Sequence, residues 1–202
     1  MGRMIEFIFQ KVYLAMLASG IFLLLSFCGG LIFGVAPAGA VLMSLYAEHG
    51  SNYKAYHFQQ AWDLFKGNFI QANQVFYSIA VVEALFIYGV YLLIQLPQSL
   101  FTIFLSLVNL IFALVLPLVY SVYLKLQVHF ELSYVNSLKL SIIGIFLNIS
   151  AMLKMLLGTA LLLVASYYAP ALGFFVFIGA WHFFISDVLK PVYELLKSKL
   201  IV

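Results

Sequence analysis

Five side chains stand out as able to do chemistry, because each is polar and each falls inside a long apolar run. Glu83 lies in the middle of YSIAVVEALFIYGVYLL, Asn109 near the centre of the next apolar stretch, Lys154 about a turn into a later one, and His182 with Asp187 in the last. An ionised acid at the centre of a bilayer costs about 2.5–3.5 kcal/mol on insertion scales, so such a residue faces the protein interior and is protonated or paired. Glu83 is therefore expected to face inward, neutral or paired with Lys154 or His182. Two roles fit it equally: a residue on a solute or proton pathway, and a hydrogen-bond anchor between helices. For Lys154 and His182 the structural role is the better reading, since Lys154 can snorkel to the nearer surface.

Known catalytic spacings are missing. There is no GxxxxGK[ST], HExxH or GxSxG pattern and no pair of closely spaced carboxylates within the apolar runs. His49, His57 and His129 lack the spacing of metal ligands. The single cysteine, Cys28, excludes an intrachain disulfide and a CxxC site. No enzyme activity, cofactor, metal or nucleic-acid partner is expected.

These residues must be positioned by membrane helices. The chain of 202 residues is 65% hydrophobic and 8% charged, with a mean hydropathy of +1.11; soluble domains carry roughly 25% charged residues. Lipid is then the solvent for most side chains, and only helices or a closed barrel satisfy the backbone there. The apolar runs are long and unbroken, which favours helices over the ten-residue alternation of barrel strands. An all-α polytopic fold follows, in one domain covering residues 1–202. About six spans are expected, at 12–30, 31–47, 72–96, 99–124, 150–168 and 171–189, paired as three hairpins.

The first hairpin depends on GGLIFGVAPAGAVLMSLY at residues 29–46. Gly30 and Gly34 permit a tight reversal, and Pro37 falls near the start of the returning helix, where a missing amide costs least. The small residues Ser26, Gly30 and Gly34 also let helices approach closely, through turn geometry or helix packing. A signal-peptide reading, with cleavage after Ala36-Pro37-Ala38, is disfavoured by the long apolar segment and the further apolar runs beyond it. The return over 31–47 is short for a span, and the wedge it leaves is where a cavity is expected.

Two amphipathic stretches separate the hairpins. Over 56–70, Phe58, Ala61, Trp62, Phe65 and Phe69 recur at helical spacing opposite Gln59, Gln60, Asp63, Lys66 and Asn68. This describes an interfacial helix, or a helix packed on the protein's own loops. Over 132–147, Tyr134, Val135, Leu138, Ile142 and Ile145 form an apolar stripe opposite Ser133, Asn136, Lys139 and Ser141. Pro117 predicts a kink in the fourth span.

Charge placement orients the chain. Arg3, Lys11, Lys54, Lys66, Lys125, Lys139, Lys190, Lys197 and Lys199 fall on one side if 12–47 is a hairpin, whereas the turns near 29–36, 95–99 and 166–172 carry no lysine or arginine. By the positive-inside rule that side is cytoplasmic and holds both termini.

The segment Phe65-Lys66-Gly67-Asn68-Phe69-Ile70-Gln71-Ala72 resembles the FKxNFxQA signature of the YesL-like integral membrane proteins of Gram-positive bacteria, a domain family of unknown function. Gly34 to Leu42, GVAPAGAVL, is loosely similar to that family's Gly-Pro-Ala-Thr-Thr-Ala-Leu-Tyr turn, but Ala36 precedes Pro37, and Gly39 and Ala40 replace the threonines. The resemblance implies a location in the bacterial cell membrane and an association with carbohydrate ABC importers; it supplies no catalytic residue. The expected function is that of a non-enzymatic accessory membrane protein, surrounded by lipid and contacting importer permease subunits, with the two amphipathic helices as contact elements. The alternative is a small independent transporter or channel using Glu83. An enzyme acting on lipids ranks third.

Overall fold

The computed structural model describes residues 2–130 and 133–200; side chains are described from residue 8 onward, with that of Glu6, and up to residue 199. Glu131 and Leu132, at the start of the second amphipathic stretch, lie outside the described residues, as does the side chain of Arg3. The chain is all-helical, 87% helix with no strand among the described residues. Helices α1 (Gly2–Cys28) and α2 (Val35–His49) form a hairpin, and a 3₁₀ turn at Tyr53–Ala55 leads into α3 (Phe58–Gln95). Then follow α4 (Leu100–Leu126), α5 (Tyr134–Leu147), α6 (Ile149–Tyr168), α7 (Pro170–Phe175), α8 (Phe177–Val188) and α9 (Lys190–Leu200).

Among the described residues, four segments are long and apolar enough to cross a membrane: Ile8–Cys28, Phe58–Gln95, Leu100–Leu126 and Ile149–Tyr168. The second and sixth expected spans fall short of that length. α2 has 15 residues, and the stretch at 171–189 is split into α7 and α8, of 6 and 12 residues, at Val176. α4 continues through Pro117, whose ring removes one amide; the carbonyl of Pro117 accepts from Ser121 Oγ at 2.8 Å.

The amphipathic stretch at 56–70 is not a separate helix. It is the first part of α3, which runs unbroken for 38 residues, about 57 Å at 1.5 Å per residue. The lower half of α3 runs antiparallel to α2: Gln60 is bonded to His49 and Glu48, the Asn73 amide donates to Phe33 O at 2.9 Å, and the Tyr77 hydroxyl donates to Ile32 O at 2.6 Å. From Ala72 onward α3 also runs antiparallel to α4, through Phe76 against Tyr120 and Phe86 stacked on Phe112. The α1–α2 turn is thus level with the middle of α3, and residues 78–95 continue about 27 Å beyond it.

The turn itself is closed by glycines. Gly30 adopts φ +74°, a conformation glycine takes without steric cost. A Cβ on Gly34 would lie 2.6 Å from Ser26 Cα, so the small-residue series serves this reversal. Pro37 is the third residue of α2, where the amide has no intrahelical partner.

The buried side of α5 carries its smallest residues. Ser137 is 2% and Ser141 0% exposed, while Val135 and Ile142 of the apolar stripe are 53% and 49% exposed. Small hydroxylated residues allow close packing and bond locally, as Ser141 Oγ does to Ser137 O at 2.7 Å. Val135 and Ile142 are left for hydrocarbon, whereas Ile145 joins the core and Tyr134 and Leu138 pack against it.

α2 lies at the centre, touching α1, α3, α4 and α8. From Ala36 to Met43 every residue is buried. One core cluster joins its Ala36, Ala40 and Met43 to α3, α4, α6 and α8; a second joins Ala38, Val41, Leu42 and Leu45 to α1 and the start of α3.

Candidate functional site

The expected wedge is present. A cavity of about 420 Å³ opens where α2 begins, lined by Val35 and Gly39 of α2, Phe22 of α1, Ile79 and Glu83 of α3, Pro117 and Tyr120 of α4, and Trp181 and His182 of α8. Its wall is apolar and aromatic except for Glu83 and His182. Glu83 is half-buried, and among the described residues no hydrogen bond or ion pair reaches its carboxyl group.

The structure fixes the orientation of the imidazole. His182 is 4% exposed, and its Nδ1 is 2.7 Å from Ile178 O. A carbonyl only accepts, so Nδ1 carries the hydrogen and Nε2 of the neutral ring is left as an acceptor. Nε2 faces α2 at its most permissive point, since a Cβ on Gly39 would lie 2.9 Å from it. Trp181 stands edge-on to the imidazole at 5.0 Å between centroids, and its indole N–H donates to Thr159 Oγ1 at 3.1 Å. A carboxyl group and a nitrogen acceptor in an apolar pocket suit a small cation, or a hydrogen-bond donor on an apolar body.

Lys154 and Asn109 are elsewhere. Lys154 does not pair with Glu83: it is exposed and lines a separate cavity of about 370 Å³ with Asn148 and Asp187. It lies in the second turn of α6, beside the end of α8, whereas Glu83 lies past the middle of α3. Spacing along the chain carries no information about that difference in height. Asn109 sits in the α3–α4 hairpin, donating to Leu105 O at 2.8 Å and packing on Gly89, where no side chain intervenes. It anchors the hairpin and does not reach the cavity.

The FKxNFxQA-like segment is used inside the protein. Phe65, 3% exposed, stacks on Trp62 and meets Phe69 edge-on, and its Cζ would be 3.1 Å from a Cβ on Gly29. Ala72 is fully buried. Asn68 bonds back to Leu64 O, and Gln71 Nε2 donates to Ser137 Oγ of α5 at 3.3 Å. Lys66 pairs with Asp63 at 3.0 Å on the exposed side. Much of the segment therefore fastens α3 to the α1–α2 turn and to α5.

Residues 15–90 match the family model described as a protein of unknown function, DUF624. DUF624 is the YesL-like family that the Phe65–Ala72 segment resembles. The match runs from α1 through α2 and most of α3, so it includes the glycine turn, the Phe65–Ala72 segment and Glu83. Neither a curated protein nor a solved structure matches the chain.

Sequence reasoning missed a second polar group, at the far end of α4. Lys125 Nζ donates to Ser186 Oγ at 2.9 Å, and the Tyr46 hydroxyl donates to Asp187 Oδ2 at 3.0 Å. The signal that could have found it was Lys125 itself, placed directly after an apolar run and read only as a cation of the polar side. Among the described residues no three His, Cys, Asp or Glu side chains converge as a metal set.

Proposed function

We propose that this is a non-enzymatic accessory component of a carbohydrate ABC importer in the cell membrane of a Gram-positive bacterium, with both termini cytoplasmic. The observation that carries this reading is the arm formed by the upper halves of α3 and α4. There Leu85, Tyr88, Tyr91, Leu92, Phe104 and Leu107 are all 44–65% exposed. Such a two-helix arm offers a long apolar surface to the membrane helices of a permease, where association depends on close packing. The YesL-like resemblance supplies the kind of partner. The lysine-free turn at residues 96–99 at the tip of the arm agrees with a position outside the cell.

The contact element in this reading is the arm, in place of the two amphipathic stretches, because the first continues into α3 and the second packs its serine face inward. The test is co-purification from mild detergent combined with sugar uptake in a deletion strain. The reading fails if no importer subunit accompanies the protein and uptake is unchanged.

The cavity favours a second reading, an independent transporter that uses Glu83 near the middle of the bilayer. Purified protein in vesicles would then move a solute alone, and Glu83→Gln would abolish that movement. Vesicles that remain tight to every candidate solute would refute it.

A further inference from the structure

Lys125 is only 7% exposed, and its ammonium group carries three donors. One of these is used, by Ser186 Oγ; among the described residues no carboxylate lies within ion-pair distance of Nζ. The nearest acid on α8, Asp187, is held by the Tyr46 hydroxyl. The remaining donors of Lys125 adjoin a cavity of about 310 Å³, lined also by His129, Lys190, Tyr193 and Glu194. Lys197 stands over the Tyr193 ring, 5.8 Å from its centroid.

A buried ammonium with a single neutral partner is costly unless an anion completes its shell. Two cations, Lys125 and Lys190, and two carboxylates, Asp187 and Glu194, line the cavity, and Lys197, over the ring of the lining residue Tyr193, adds a third positive charge beside it. The cavity lies at the end of α4, just where an apolar run of more than twenty residues stops. That is the depth at which lipid phosphates meet a spanning helix.

We propose that the cavity at the junction of α2, α4, α8 and α9 binds a phosphate oxyanion, with Lys125 and Ser186 at its floor and Lys190 at its mouth. The phosphodiester of an anionic membrane lipid and a soluble phosphate compound share this chemistry. The site is separate from the Glu83–His182 cavity and does not depend on the importer reading.

The test is thermal unfolding of the purified full chain in a neutral detergent, titrated with phosphatidylglycerol, with uncharged diacylglycerol and, separately, with inorganic phosphate. Phosphatidylglycerol is expected to raise the unfolding temperature saturably, and diacylglycerol to leave it unchanged. A saturable rise with inorganic phosphate alone also supports the site and assigns it to a soluble phosphate compound. Lys125→Gln should weaken the effect by about tenfold or more, the loss of one charge-assisted hydrogen bond. Lys190→Gln should weaken it to a smaller extent, and Asp187→Asn should strengthen it by removing a repelling charge. If Lys125→Gln does not fold, the opposite signs of the exposed Lys190→Gln and Asp187→Asn variants decide the matter. The proposal is overturned if neither phosphate source gives a saturable rise, if Lys125→Gln keeps the full effect, or if Asp187→Asn weakens binding.

Discussion

Replacing Gly179 by alanine tests whether α8 crosses α1 as closely as the structure has it. A Cβ at that position would lie 3.0 Å from both Cα and the carbonyl carbon of Ala15, and closer still to its oxygen. Carbon atoms in contact prefer about 3.5–4.0 Å. The obstacle is backbone, so no rotamer change relieves it and the two helices must separate. Separation also lengthens the bond from the Gly179 amide to Ser19 Oγ, now 3.0 Å. Overpacking costs about 1–3 kcal/mol, and loss of the hydrogen bond about 0.5–1.5 kcal/mol more. The control is Gly20→Ala in α1, where nothing lies within 4 Å of the added methyl. Helix propensity favours alanine by about 1 kcal/mol at both positions, so it cancels between the variants. Gly179→Ala is therefore expected to be less stable than Gly20→Ala by about 2 kcal/mol or more, measured by reversible unfolding in mixed micelles. Equal stability of the two variants would refute the close crossing.

Three further outcomes follow from the same geometry. Cys28, the single cysteine, is exposed beside the α1–α2 turn, which is level with the middle of α3. It should resist a membrane-impermeant maleimide added outside intact cells, whereas a cysteine at Gln98 in a Cys28→Ser background should react; labelling of Cys28 at the same rate would contradict the level assigned to the turn. Tyr77→Phe removes the hydroxyl that donates to Ile32 O and should cost about 0.5–1.5 kcal/mol in unfolding free energy; no loss would mean that the bond does not hold the turn to α3. Burial, with Lys125 and Lys197 nearby, holds the His129 imidazole below its ordinary range, Glu194 acting in the opposite sense. The unfolded chain then takes up the proton first, so stability is complete above about pH 6.5 and declines as the pH falls below it. His129→Gln should flatten this acid-side decline in the unfolding temperature, and an unchanged slope would exclude His129 as its source.

Much of the architecture is legible in the residues alone. Apolar runs with few charges require lipid-facing helices, and breaks at Gly29–Gly34, Gln95–Gln98 and Ala169–Pro170 mark turns that the structure also has, the second at 96–99. The short return after Gly34 leaves a wedge, and the cavity at Val35 and Gly39 occupies it. Helical propensity, the cost of an unpaired backbone in hydrocarbon and glycine's freedom at Gly30 are local properties, so sequence determines them.

Only the tertiary structure decided which faces meet. Periodicity marks the two sides of α5, but in lipid the apolar side has no need to turn inward, and packing with Val122 and the α9 residues Val192 and Leu196 favours the side of Ser137, Ser141 and Gly144. The break expected between 70 and 72 is absent because Gln71, Ala72 and Asn73 find partners in α5, in the core and in the α1–α2 turn, and so sustain one helix through the polar-to-apolar boundary. The pairing of Glu83 with Lys154 is set aside, and that of Lys125 with Ser186 gained, for a common reason. Long-range neighbours depend on the relative heights of the helices, and those heights follow from α2 and α4 sharing the length of α3.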